Sequence, residues 1–313
     1  MLMIAIYIVS IVFIITPFLP ATRLTHWFFR TADYVRLQSI AIELILLILF
    51  FIFENRYHWF QYILIAGLLG AMVYQLAKLM TYTKLNKRLD HPSDSDGMVS
   101  ILAVNLLQTN TQFEKLIQII KEYNPDLVLT MESNKNWENA LTDIEEIYPF
   151  SIKIPMENLY GMHLYSKNEL KNVSTQFRVE DDIPSIYFDY SINDKVTIFF
   201  ACLHPEPPSP TENDTSKEQD AELMLTGEHI RDLDKPCVVC GDMNDVVWSR
   251  TTRLFKKMTE MIDPRVGRGF FATYHARYRL MRFPLDHLFI TKDLYVGKMK
   301  RTQHFGSDHF GVY

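Results

Sequence analysis

Three apolar runs at the front of the chain constrain its fold more than any other feature. Residues 3 to 19 and 59 to 77 carry no charge, and residues 37 to 53 carry only Glu43. Each run is close to the roughly 20 residues that a helix needs to cross a bilayer, so three transmembrane helices are predicted. No Lys or Arg precedes the first run, and it is long for a signal core, which favours a span over a cleaved signal peptide. Glu43 stands near the start of its run and is expected as an interfacial carboxylate; any deeper, it would have to face a partner helix or water.

Flanking charges set the orientation. The first connection holds Arg23, Arg30 and Arg36 against Asp33, and the exit from the third run holds Lys78, Lys84, Lys87 and Arg88. Between the second and third runs stands only Arg56 beside Glu54. With three spans the two basic segments share a side, which predicts that this side and the C-terminal domain are cytoplasmic. Trp27, Phe28 and Phe29 are candidate interface anchors there. The division that follows is a membrane anchor over 1–85, a polar linker rich in helix breakers over 86–97, and one domain over 98–313.

The three cysteines do not suggest a disulfide framework. Cys237 and Cys240 are spaced like a redox pair, but in a strand residues three apart point to opposite faces, so buried thiols are expected, with Cys202 in a similar run.

Beyond the linker, strand-like and helix-like patterns alternate. Met98 to Val104 reads as a strand. Phe113, Leu116, Ile117 and Ile120 mark one face of a helix ending at Asn124-Pro125, and Asp126 to Met131 is again a strand. Trp137, Leu141 and Ile144 suggest a second helix, residues 216 to 233 a third, and Pro236 to Cys240 a short buried strand. Ile186 to Ile192 and Val196 to Leu203 flank Asn193-Asp194 as a hairpin, so the sheet is not purely parallel. Asn105, Glu132, His204 and Asp242 directly follow strands, whereas Asp286 and His309 directly precede them. All six meet at one sheet edge if the strands after Asp286 and His309 run antiparallel to the rest.

The polar residues themselves point to phosphate ester chemistry. Cys240-Gly241-Asp242-Met243-Asn244, Pro284-Leu285-Asp286-His287 and Gly306-Ser307-Asp308-His309 place hard oxygen ligands, an amide donor and a proton acceptor close together. That set suits attack by water on phosphorus.

With Asn105, Asn124-Pro125-Asp126, Glu132 and Leu203-His204 added, the ordered motifs cover nearly all of 98–313, and the domain resembles the endonuclease/exonuclease/phosphatase superfamily, which includes DNase I. Details around His204 and Asp242 resemble bacterial members with hydrophobic N-termini. The resemblance implies a DNase I-like α+β fold, a four-layer αββα sandwich of two mixed sheets between helices, carried here behind N-terminal transmembrane α-helices. It implies a magnesium site, with manganese as a substitute, built on Glu132 and completed or bordered by Asn105 and Asp308. His309 would accept a proton from the attacking water while Asp286 holds its other ring nitrogen, and Asp242 is the competing candidate for that role. Asn244 would donate to a phosphate oxygen, and His204 would stabilise developing charge or protonate the leaving oxygen. Two departures stand out: Leu107 occupies a position where several nucleases place an acid, and only about four residues follow His309 as a last strand before Tyr313.

Residues 250–282 hold nine basic residues against Glu260 and Asp263, while the rest of the domain is acidic. This excludes a broad basic stripe for nonspecific duplex binding and favours a localised rim for a polyanion. Core packing is expected for at least half of the aromatics Phe270, Phe271, Tyr274 and Tyr278. The sequence therefore predicts a membrane-anchored, metal-dependent hydrolase of a phosphodiester in nucleic acid, or alternatively of a phosphorylated lipid headgroup. A catalytically silent membrane sensor is the reading from another class, and no protein partner is indicated. The expected location is a bacterial inner membrane.

Overall fold

The computed structural model of the chain describes residues 1–54, 57–87 and 97–313. Arg56, Arg88 and most of the predicted linker, residues 88–96, lie outside the described residues.

The apolar runs form α1 (Leu2–Ile15), α3 (Arg36–Phe53) and α4 (Trp59–Met80). With its 3-10 continuation Thr16–Ala21, α1 joins the other two as helices long and apolar enough to cross a membrane. Pro17 and Pro20 end the regular helix there, because proline supplies no N–H to the ladder. Glu43 departs from its expected interfacial place: it is fully buried, turned toward α4, and accepts a 2.7 Å hydrogen bond from Gln75 Nε2. A carboxylate in an apolar bundle requires such a donor. Between α1 and α3 lies a helix that the sequence reading did not assign, α2 (Trp27–Tyr34). Of the three aromatics expected as interface anchors, Phe28 is exposed, whereas the main chain at Trp27 pairs with the large domain through Asp214.

The large domain contains two sheets. The first has the order β1 (Ile101–Asn105), β2 (Leu127–Met131), β4 (Met162–Ser166), β3 (Phe150–Ile154), with β1 and β2 parallel and the other pairs antiparallel. The second runs β5 (Leu170–Gln176), β6 (Ser185–Ser191), β7 (Thr197–Leu203), β8 (Cys237–Asp242), β9 (Asp286–Ile290). In it, β7 and β8 are parallel and the remaining neighbours antiparallel.

Alternation along the strands builds four layers. Ala103, Leu129, Leu164, Phe188, Phe200 and Cys240 fill the space between the sheets. Their strand neighbours Leu102, Val104 and Val128 face outward onto α5 (Phe113–Tyr123) and Trp137 of α6 (Lys135–Ala140). Across the molecule, Tyr187, Ala201 and Val239 face α7 (Lys217–Arg231) and Phe255 of α8 (Arg250–Thr259). The cysteines divide as expected: Cys240 lies between the sheets with its Sγ 3.8 Å from Cys202 Sγ, Cys237 lies in the outer layer, and all three are free.

The helical front end docks on the sandwich. Leu79 and Tyr82 pack with Val246, Val247, Trp248, Phe283 and Leu285. Trp248 donates its indole N–H to the Asp33 carbonyl at 2.8 Å, and Tyr82 donates to the Val247 carbonyl at 3.1 Å. Main-chain pairing adds a bridge between His26 and Thr215, flanked by Trp27 N–H to Asp214 and Ser216 N–H to Thr25.

Candidate active site

Strand direction brings the motif residues together. Asn105 ends β1, and Glu132 follows the last residue of β2, its parallel neighbour. His204 follows β7, and Asp242 ends the parallel β8. Asp286 begins β9 antiparallel to β8 and is the direct cross-strand partner of Asp242. The segment after His309 also runs antiparallel, pairing Val312 with Ala103 of β1 through two hydrogen bonds, although it forms bridges rather than a regular strand.

The centre of the cluster is the His309 ring. Its Nδ1 lies 2.8 Å from Asp286 Oδ2, and its Nε2 lies 3.4 Å from Asp242 Oδ2. Asn105 Nδ2 donates to Asp242 Oδ2 at 3.0 Å and to Glu132 Oε1 at 2.8 Å, while the Gln108 N–H donates to Glu132 Oε2 at 3.0 Å. Asp242 Oδ1 accepts from the Asn244 N–H at 2.9 Å. The Asn244 side chain is tied to the Pro205 carbonyl at 3.0 Å, which places it beside His204. Asp308 is held by its carbonyl, which accepts the Ala276 N–H at 2.6 Å.

Backbone conformation aims several of these groups. Glu132 and Asn244 adopt positive φ, 58° and 50°, an uncommon conformation for residues with a side chain that recurs at functional sites. Gly241 has φ +139°, and a Cβ there would lie 1.9 Å from the Leu203 carbonyl oxygen. Only glycine permits β8 to approach β7 this closely just before Asp242.

The charges are unbalanced. Burial opposes the His309 imidazolium, but Asp242 and Asp286 outweigh it and raise its pKa to about 10. Burial likewise opposes ionisation of Asp242, and the facing His309 and His204 overcome it and hold its pKa low. Burial shifts His204 down, with Asp242 and Glu132 opposing that shift, and among the described residues its Nδ1 has no partner. Glu132 is raised by burial, with Asp308 adding to the effect. Among the described residues no lysine or arginine pairs with Glu132, Asp242, Asp286 or Asp308. A cluster of hard oxygens short of positive charge fits a divalent cation, and Asp308 lies near enough to Glu132 to act on its carboxyl. Asn105 borders that pair, since its amide nitrogen faces Glu132 and its oxygen accepts from the Leu107 N–H. The closest acid and histidine grouping is Asp242, Asp286 and His309, whose ligand atoms lie within 4.8 Å of one another. Each ring nitrogen of His309 faces one of these two carboxylates.

Several contributors were outside the reach of sequence reasoning. Gln108 acts through its main chain, and Tyr34 of α2 donates its hydroxyl to the Asn244 carbonyl at 2.6 Å. Gln219 Nε2 donates to the carbonyls of Met243 and Asn244 at 2.9 and 2.8 Å. The only available signal was the polar character of these residues. The basic rim expected from 250–282 is smaller than its charge implied. Arg265 is fully buried and paired with Asp263, Lys256 reaches the Tyr82 hydroxyl, and Arg282 donates to the Ala276 carbonyl.

The profile of the Endonuclease/Exonuclease/phosphatase family matches residues 102–309. No curated protein sequence matches the chain. Among solved structures, an endonuclease/exonuclease/phosphatase from Bacteroides vulgatus superposes with a TM-score of 0.56 at 17% identity, covering 68% of this chain and 96% of that one. D. rerio TDP2 complexed with a single-strand DNA product gives 0.56 at 14% identity, with coverage of 68% and 96%. The human Nocturnin catalytic domain with a bound sulfate anion gives 0.54 at 15%, with coverage of 68% and 92%. At these identities the likeness is one of fold.

Proposed function

The chain belongs to the endonuclease/exonuclease/phosphatase family, and from that premise we propose a membrane-anchored, magnesium-dependent phosphoesterase that hydrolyses a phosphodiester by in-line attack of water. The observation that carries this reading is the His309 ring clamped between Asp242 and Asp286, near a Glu132 that pairs with no lysine or arginine among the described residues.

Glu132 and Asp308 would hold the cation, with Asn105 orienting the Glu132 carboxylate. When bound, the cation would polarise a phosphate oxygen and neutralise charge that builds in the transition state. Asp242, ionised and next to the imidazolium, orients the attacking water and receives its proton. This choice follows from His309 already carrying a proton between two carboxylates. The imidazolium, fixed by Asp286, supplies positive charge to the non-bridging oxygens, and Asn244 and His204 face the same region. The water oxygen forms the new bond to phosphorus, the bond from phosphorus to the leaving oxygen breaks, and that oxygen leaves as an alcohol once protonated. One water is consumed per diester, and a monoester and an alcohol result.

The three apolar helices support an integral membrane location, and the basic flanks support a cytoplasmic catalytic domain at a bacterial inner membrane. An exported reporter fused at Gly97 would refute that side. The DNA product in the TDP2 complex makes nucleic acid one candidate source of the diester, and a lipid headgroup is the other. The central test is magnesium- or manganese-dependent hydrolysis of bis(p-nitrophenyl) phosphate by the full chain. Glu132→Gln and His309→Gln are expected to abolish turnover; activity indifferent to both would sink the reading, and binding without turnover would favour a silent sensor.

A further inference from the structure

One short hairpin joins the catalytic edge to the start of an apolar helix. At its base, Tyr274 and Phe283 are paired, the Tyr274 ring lies 5.0 Å from the His309 ring, and the Ala276 N–H is bonded to the Asp308 carbonyl. The return strand is fixed by His275 N–H to the Met281 carbonyl, and the turn by Met281 N–H to the Tyr278 carbonyl. At its tip, the Leu280 carbonyl accepts a hydrogen bond from Gln38 Nε2 in the first turn of α3.

The tip is unusual for a loop. Leu280 is 84% exposed, Tyr278 62% and Met281 46%, with exposed Arg279 among them and exposed Arg277 just before, where one guanidinium nitrogen also donates to the Gly306 carbonyl. Adjacent exposed apolar side chains of this size are costly in water unless something covers them. Their height is set by Gln38. At 1.5 Å per residue, α3 is about 27 Å long, close to the roughly 30 Å hydrocarbon thickness, so its first turn marks the boundary between acyl chains and headgroups.

We propose that residues 277–281 seat on an anionic bilayer surface at the mouth of the site, and that the substrate is the phosphodiester of an anionic lipid headgroup. The apolar tip would enter the acyl boundary, and Arg277 and Arg279 would meet headgroup phosphates. Leu280 is four positions along the chain from Ala276, so the point where the hairpin holds Asp308 is at most about 14 Å of chain from the boundary. A headgroup spans that gap without leaving its membrane, whereas a nucleic acid would have to bring a second polyanion against the same negative surface. The substrate assignment rests on the phosphoesterase reading above; the surface does not.

The test uses the full chain reconstituted in phosphatidylcholine vesicles with and without phosphatidylglycerol. An environment-sensitive dye on Leu280→Cys should shift to the blue and be quenched by spin-labelled lipid, and Val173→Cys, exposed on β5, serves as the aqueous reference. The native thiols are buried and should not label. In parallel, Leu280→Ser combined with Met281→Ser should lower the ratio of phosphatidylglycerol to bis(p-nitrophenyl) phosphate hydrolysis by about tenfold. A label at 280 that behaves like the one at 173 would overturn the surface. An unchanged ratio, or DNA cleaved in preference to lipid, would overturn the substrate class. Hydrolysis of neither ester, with the 280 label still in lipid, would remove the phosphoesterase reading and leave the surface standing.

Discussion

Tyr34 and Asn244 stand 210 positions apart, yet the phenol of one donates across 2.6 Å to the main-chain carbonyl of the other. Asn244 lies two residues beyond Asp242, whose Oδ1 accepts its N–H. The helical front end therefore braces the loop of the candidate site from behind, through Tyr34, Tyr82 and the indole of Trp248.

Removing only that hydroxyl, by Tyr34→Phe, is expected to lower kcat by about three- to tenfold with little change in KM, since one hydrogen bond contributes about 1 kcal/mol. Fragment 98–313 should lose more, because Val246, Val247 and Trp248 lose their apolar cover. Steady-state kinetics beside thermal melts of the three proteins would check this; a fragment as active and stable as the full chain would contradict it.

Asp286→Asn should reduce kcat by about 10²- to 10⁴-fold. The amide keeps the shape but removes the charge that steadies the His309 imidazolium at 2.8 Å. Circular dichroism should be unchanged, so that the loss reads as chemistry.

For His309 in the metal-free protein the folded pKa, about 10, lies above the unfolded value of about 6.5. A raised pKa stabilises fully below the unfolded value, and that contribution is lost as pH rises from about 6.5 through about 10. Asp242 is shifted the other way, so its contribution holds above the unfolded value of about 3.9 and disappears on acidification. Urea unfolding with chelator present should show stability declining on the alkaline limb. His309→Gln should flatten that limb, and identical curves would rule the linkage out.

Gly241→Ala should cost about 3 kcal/mol or more, because the new Cβ meets the Leu203 carbonyl oxygen at 1.9 Å and φ is +139°. Denaturant titration would measure it, and a loss below about 1 kcal/mol would show that β7 and β8 can part.

The sequence exposed most of the candidate site's edge because each group sits at a strand end, where an apolar run stops at Asn105, Glu132, His204 or Asp242. The αββα layering was equally accessible, since buried strands and the face of α5 carry strong periodicity. β3, β4 and β5 were missed: the partly exposed residues of β3 and β5 mix polar and apolar types without clear alternation, and the buried β4 interrupts its apolar residues with His163 and Ser166. α2 escaped because its aromatics read as membrane anchors, and Glu43 was misplaced because its partner Gln75 is remote in sequence. Local charge counting overstated the basic rim, since partners such as Asp263 for Arg265 appear only in three dimensions.

The bridge between His26 and Thr215, with its flanking main-chain bonds, is indifferent to which side chains surround it. Substitutions there should drift freely over evolutionary time, whereas a one-residue insertion would shift the pairing and lift Tyr34 off the catalytic loop. Selection on the stretch between the first two apolar helices should therefore act on its length more than on its letters, and a graft of this domain onto a foreign anchor would succeed only if that spacing were kept.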